Sequence, residues 1–127
     1  MPNALVVDDS RVIRRILAGT LSEIGYQVAQ AADGVEALAM LEQAHAAGAP
    51  VALMLVDWNM PQMYGLEVVR RVRADARCAD TMVIMVTTET EVGQMVVALQ
   101  AGANEYVMKP FTKEVIEDKL RLLGVLQ

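Results

Sequence analysis

Three features of the sequence predict an α/β fold of the doubly wound kind, a parallel sheet between two helical layers. Short, continuously apolar runs alternate five times with longer stretches of helical period, the pattern of a repeated β-α unit. One run, residues 51–56, is apolar at every position, as required of a central strand covered on both faces. Four runs close on polar groups: Asp8-Asp9, Asp57, Thr87 and Lys109-Pro110. The chain of 127 residues has room for one such domain and not two. Residues 1–127 are therefore expected to be a single domain, with no output domain after Gln127.

Residues 4–7 form the first expected strand. Val12, Ile13, Ile16, Leu17, Leu21 and Ile24 then recur at three and four residues, the period of a helix with one buried face, and Gly25 stops it. Residues 26–31 make a strand of greater polarity, suited to a sheet edge. Asp33-Gly34 turns the chain into an alanine-rich helix reaching about Ala47, which Gly48-Ala49-Pro50 ends. After the central strand, helices are expected at 66–73, 92–100 and 113–123, with strands at 82–86 and 106–108. Right-handed crossovers make such a chain an open parallel sheet with helices on both sides.

Composition removes several functional classes. Hydrophobic residues make up 54% of the chain and charged ones 21%, which excludes a disordered protein. Acids outnumber bases sixteen to eleven, and no segment carries a run of cations, so nucleic acid is not the expected partner. Arg11, Arg14 and Arg15, and likewise Arg70, Arg71 and Arg73, read as solvated helix faces. The lone Cys78 has no internal disulfide partner and its polar neighbours suggest a loop rather than a thiolate site; His45, without a companion histidine, reads as a surface residue. No apolar run approaches the ~20 residues of a membrane span, and no signal peptide opens the chain. A cytoplasmic protein is expected.

In an open parallel sheet the loops after the carboxyl ends of the strands form the ligand crevice, and Asp8, Asp9, Asp57, Thr87 and Lys109 all fall there. Carboxylates brought so close repel one another unless a hard divalent cation, best Mg²⁺, is held between them by oxygen. Lys109 adds a fixed positive charge. Cation, ammonium and hydroxyl together suit phosphoryl transfer, whose charge on three oxygens must be neutralised and positioned. A carboxylate there can itself attack phosphorus to give an aspartyl-phosphate.

Val6-Val7-Asp8-Asp9-Ser10, Asp57-Trp58-Asn59-Met60-Pro61, Met85-Val86-Thr87, Ala101-Gly102-Ala103 and residues Tyr106 through Thr112 together resemble the receiver domains of two-component response regulators, in their stand-alone chemotaxis form. The resemblance spans essentially the whole chain. It implies a flavodoxin-like strand order of 2-1-3-4-5. It implies that Asp57 accepts a phosphoryl group from a histidine kinase of the CheA type or from a small donor such as acetyl phosphate. Mg²⁺ would be held by Asp9, Asp57 and the Asn59 carbonyl, with Asp8 acting through water. Thr87 and Lys109 would hold phosphoryl oxygens, and Asn59 and Glu89 would tune hydrolysis towards a short-lived phosphoryl state. The Lys109-Pro110 bond is expected to be cis, an isomer accessible at modest cost before proline.

The resemblance also implies a switch, in which the Thr87 hydroxyl shifts towards the new phosphate and vacates space for Tyr106 to rotate. Val92, Met95, Tyr106, Met108 and Lys119 would present the output surface. Val92, Met95, Val96 and Leu99 form one helical stripe that reads as core, with Met95 and Val92 at its edge. The expected partner is a flagellar motor switch protein, bound by a monomer. A phosphate sink or shuttle to a histidine phosphotransfer domain is the alternative within the same chemistry. A small phosphohydrolase of the haloacid-dehalogenase kind needs an acid two residues after its nucleophile, where this chain has Asn59. A flavin-binding flavodoxin needs a Ser/Thr/Gly-rich loop where this chain has Asp8-Asp9. Three departures from the family bear on partners: Tyr64 where an acid is common, a lengthened stretch at 43–50, and Glu91-Val92 in place of lysines.

Overall fold

The computed structural model describes residues 2–60, 63–88 and 93–125. Five strands, β1 (Asn3–Val7), β2 (Gln27–Ala31), β3 (Val51–Asp57), β4 (Met82–Thr87) and β5 (Glu105–Met108), alternate with helices α1 (Arg11–Ile24), α2 (Gly34–Ala46), α3 (Gly65–Ala74), α4 (Met95–Ala101) and α5 (Lys113–Leu122). All pairings are parallel and the order is β2-β1-β3-β4-β5. The expected architecture and strand order are both present. β3 lies in the middle, buried from Leu53 to Asp57, because both faces of the sheet are covered there.

The apolar residues divide by face. Val7, Met54, Val56, Val83 and Met85 pack against α2, α3 and α4 through Ala37, Leu41, Val68, Val72 and Ala98. Val6, Leu53, Leu55, Ile84, Val86 and Val107 pack against α1 and α5 through Leu17, Leu21, Ile116 and Leu120. Alternate residues of each strand therefore feed opposite layers, as the two-residue period of a strand demands. β2 is the polar edge strand expected, with Ala29 and Gln30 exposed.

Helix starts follow capping chemistry. Ser10, Asp33 and Thr112 each accept a hydrogen bond from the backbone N–H three residues on, satisfying a donor that has no partner inside the helix. α1 departs from expectation in its buried face: Val12 and Ile16 are 66% and 51% exposed, and Leu17 and Leu21 carry the burial. Its apolar stripe is wider than the strip of helix that the sheet covers.

Candidate phosphoryl-acceptor site

β1 and β3 end side by side, with β5 one strand beyond on the far side of β4, and their carboxyl ends bring the charged residues together. Asp8 and Asp57 are buried, at 1% and 5% exposure, while Asp9 is exposed. One carboxylate oxygen from each of Asp8, Asp9 and Asp57 falls within a sphere of mutual separations under 4.8 Å. Lys109 Nζ stands 3.4 Å from both Asp8 Oδ2 and Asp57 Oδ1. The cis Lys109-Pro110 bond follows directly, as expected.

Contacts in the loops that follow β1 and β3 position Asp8 and Asp57. Asp8 Oδ1 accepts from the Ser10 N–H at 2.8 Å, and Arg14 Nη1 donates to the Asp8 carbonyl at 2.7 Å. Arg14 is thus half-buried support for the first loop, not a solvated residue. Gly65 performs the matching service for Asp57. Its N–H donates to the Trp58 carbonyl at 3.0 Å, closing the loop after β3. A Cβ there would collide with the Asp57 carbonyl oxygen and the Met85 methyl, so α3 approaches Asp57 only because this residue is glycine.

The electrostatics leave a demand for positive charge. Burial first, and then the Asp8 charge, push the Asp57 carboxyl up to about 6, although Lys109 and the Asn59 backbone N–H pull the other way. Burial lowers the Lys109 amine, but Asp57 and Asp8 outweigh it and hold the amine above its ordinary range. Asp8 Oδ2 is buried, with Lys109 Nζ at 3.4 Å in ion-pair range, and among the described residues it has no hydrogen-bond partner. Such an atom is costly unless something binds it. An all-oxygen donor set with one orphaned buried oxygen fits a hard divalent cation.

The remaining sequence-predicted residues divide. Thr87 is buried at the end of β4, and its Oγ1 donates to the Thr88 carbonyl at 3.3 Å. Lys109 N–H donates to the Thr87 carbonyl at 2.7 Å, which joins the ends of β4 and β5. Tyr106 pairs with Met85, two residues before Thr87, so its side chain and that of Thr87 leave the sheet on the same face. It is half-buried, with Lys119 Nζ 5.1 Å from its ring centroid and Lys119 paired to Glu105 at 3.3 Å. Asn59, after β3, is exposed, and Met108, at the end of β5, is 43% exposed.

Met95 corrects its assignment. It is 2% exposed and packs in the core, whereas Val96, Val97 and Leu99 of α4 face outward at 60%, 43% and 40%. The helix is rotated relative to the stripe read from sequence because Met95 and Ala98, not Val96 and Leu99, meet the sheet. Glu89, Glu91 and Val92 lie outside the described residues, as does Pro61. Tyr64 is 64% exposed and, with Trp58, Asn59, Leu66 and Gln94, lines a depression of about 400 Å³ beside the loop after β3. Local periodicity carried no signal for Gly65 or Arg14, whose roles depend on contacts across the loops.

Comparison with known proteins agrees with this geometry. Residues 4–121 match the response regulator receiver domain. The chain is 45% identical over 120 residues to chemotaxis protein CheY1 of Helicobacter pylori, covering 94% of each. It is 42% identical over 117 residues to chemotaxis protein CheY of Pseudomonas aeruginosa, covering 91% of this chain and 90% of that one. The solved structure of Vibrio cholerae chemotaxis protein CheY4 superposes with a TM-score of 0.85 at 37% identity, covering 96% of this chain and 98% of that one. CheY is itself a standard example of the doubly wound order seen here. By fold, by the acids and lysine at the ends of its strands, and by sequence, the chain belongs to the response regulator receiver domain family.

Proposed function

We propose that this protein is a single-domain response regulator of the chemotaxis type that stores one phosphoryl group on Asp57. The observation that carries the reading is the convergence of Asp57, Asp8 and Lys109, from three strand ends, on one buried patch with an orphaned carboxylate oxygen. Mg²⁺, held by Asp9, Asp57 and the Asn59 carbonyl with Asp8 behind it, would neutralise charge at the phosphoryl oxygens. Asp57 attacks phosphorus and the donor, a histidine kinase of the CheA type or acetyl phosphate, leaves. Lys109 and Thr87 then hold the new phosphoryl oxygens. Asn59, where a hydrolase would carry an acid, and Glu89 set the rate at which water removes the group. The result is a self-dephosphorylating switch and not a turnover enzyme.

Thr87 and Tyr106 are the transmitting pair. They share a face of the sheet at alternate register positions, which supports a motion of one hydroxyl opening space for the other ring. The output leaves through Tyr106, Met108, Lys119 and Val92, towards a flagellar motor switch protein. The protein acts as a cytoplasmic monomer; among the described residues no helix is long and apolar enough to cross a membrane.

The partner is tested by titrating phosphorylated and unphosphorylated protein against a motor-switch peptide and against a histidine phosphotransfer domain. Tighter binding of the phosphorylated form to the peptide is expected. A peptide that bound both forms equally could not be the output, because it could not shift the equilibrium. Phosphoryl transfer to the phosphotransfer domain without peptide binding would make the protein a phosphate sink.

A further inference from the structure

At the opposite end of the strands from Asp57, two helices and a turn bring together three side chains that the phosphoryl chemistry does not use. His45 stands in the last turn of α2, Asp75 follows α3 and caps the short 3-10 turn Ala76–Cys78, and Cys78 closes that turn. His45 Nε2 is 3.2 Å from Cys78 Sγ. One ligating atom from each of the three lies within 4.8 Å of the others. Cys78 is buried, and His45 and Asp75 are half-buried, so the cluster is partly open to solvent.

We propose that His45, Asp75 and Cys78 form a second metal site, specific for Zn²⁺, that clasps the end of α2 to the turn between α3 and β4. Imidazole, thiolate and carboxylate are the donors zinc takes, whereas the oxygen-only cluster at Asp57 suits a hard cation. Zinc bonds of about 2.0 Å to nitrogen and 2.3 Å to sulfur in a tetrahedron put those two atoms roughly 3.5 Å apart. The present separation needs only a small adjustment. A thiolate and a carboxylate balance the ion's charge, and water completes the fourth position.

The carboxylate is held in place but keeps lone pairs to offer. Asp75 Oδ1 accepts from the Arg77 N–H at 2.9 Å and from Arg77 Nε at 3.1 Å, and Oδ2 accepts from the exposed Arg77 Nη2 at 2.8 Å. Each carboxylate oxygen has two lone pairs, and Arg77 keeps Glu42 as a second partner. Burial holds the Cys78 thiol above its ordinary range, so the empty site is protonated and binding releases that proton.

The test uses the whole chain in saturating Mg²⁺, which fills the oxygen cluster, and titrates it with Co²⁺ and then Zn²⁺. The site predicts a thiolate-to-cobalt charge-transfer band saturating at one equivalent and bleached by one equivalent of Zn²⁺, with a rise in the thermal midpoint. Cys78→Ser removes the band and His45→Ala weakens Zn²⁺ at least ~10-fold. No thiolate band in the wild-type protein overturns the proposal without recourse to any variant. So does Zn²⁺ affinity unchanged by Cys78→Ser in a variant with native circular dichroism, which would leave His45 and Cys78 a packing contact only.

Discussion

Asp57→Asn removes a charge that the folded protein holds at a loss when no cation is bound. Asp57 rises from 3.8 to about 6 on folding, through burial and the neighbouring Asp8. The folded value lies above the unfolded one, so the protonated form favours folding. That contribution is complete below about pH 3.8 and is lost as pH rises through about 6. At ~1.4 kcal/mol per unit, the ionised carboxylate costs about 3 kcal/mol at pH near 7.5 and about 0.5 kcal/mol at pH near 4. Because Asp57 is 5% exposed, solvent screening does little to reduce this ceiling. Urea unfolding in a chelator, across that pH range, should show the Asn variant gaining on the wild type by about 2 kcal/mol between acid and neutral conditions. A difference that does not change with pH, or a variant less stable at neutral pH, would refute the reasoning.

Three further outcomes follow from named contacts. Arg73→Ala should cost about 1–3 kcal/mol in urea unfolding, since its guanidinium donates to the carbonyls of Gly102, Cys78 and Thr81 and to Asn104 Oδ1, and its loss leaves the three part-buried carbonyls without this donor. Gly65→Ala should destabilise by about 1–3 kcal/mol and slow phosphoryl uptake, because the new methyl displaces the Asp57 carbonyl; an unaltered uptake rate would remove Gly65 from the positioning role. Lys109→Met should slow uptake from acetyl phosphate at least ~10-fold and move the Asp57 titration further upward, with a wild-type rate contradicting its part in charge stabilisation.

What the sequence made legible follows from how each element is held. β3 and β4 are buried on both faces, so their continuous apolar runs name them without ambiguity, and the polar residues that end them mark the crevice. α1 and α4 are covered on one face only, and their stripes fix a helix without fixing its rotation. Hence Val12 and Ile16 lie outside, and Met95 exchanged places with Val96 and Leu99. Arg73 reads from sequence as a solvated cation, yet it ties the end of α3 to the turn around Gly102, where φ is +121° and the Arg73 stem lies against the missing Cβ. His45 and Cys78 stand 33 residues apart with no motif spacing, so only the packing of α2 against the turn after α3 reveals them. Polar contacts between distant loops leave no periodic trace; apolar burial does.

Incubation with Mg²⁺ and acetyl phosphate, followed by intact-mass measurement of the wild-type and Asp57→Asn proteins, tests the central claim most directly. The wild type should gain the mass of one phosphoryl group, located on Asp57, and the Asn variant none. A variant that gained the group equally, or a wild type that gained nothing, would contradict a switch built on Asp57.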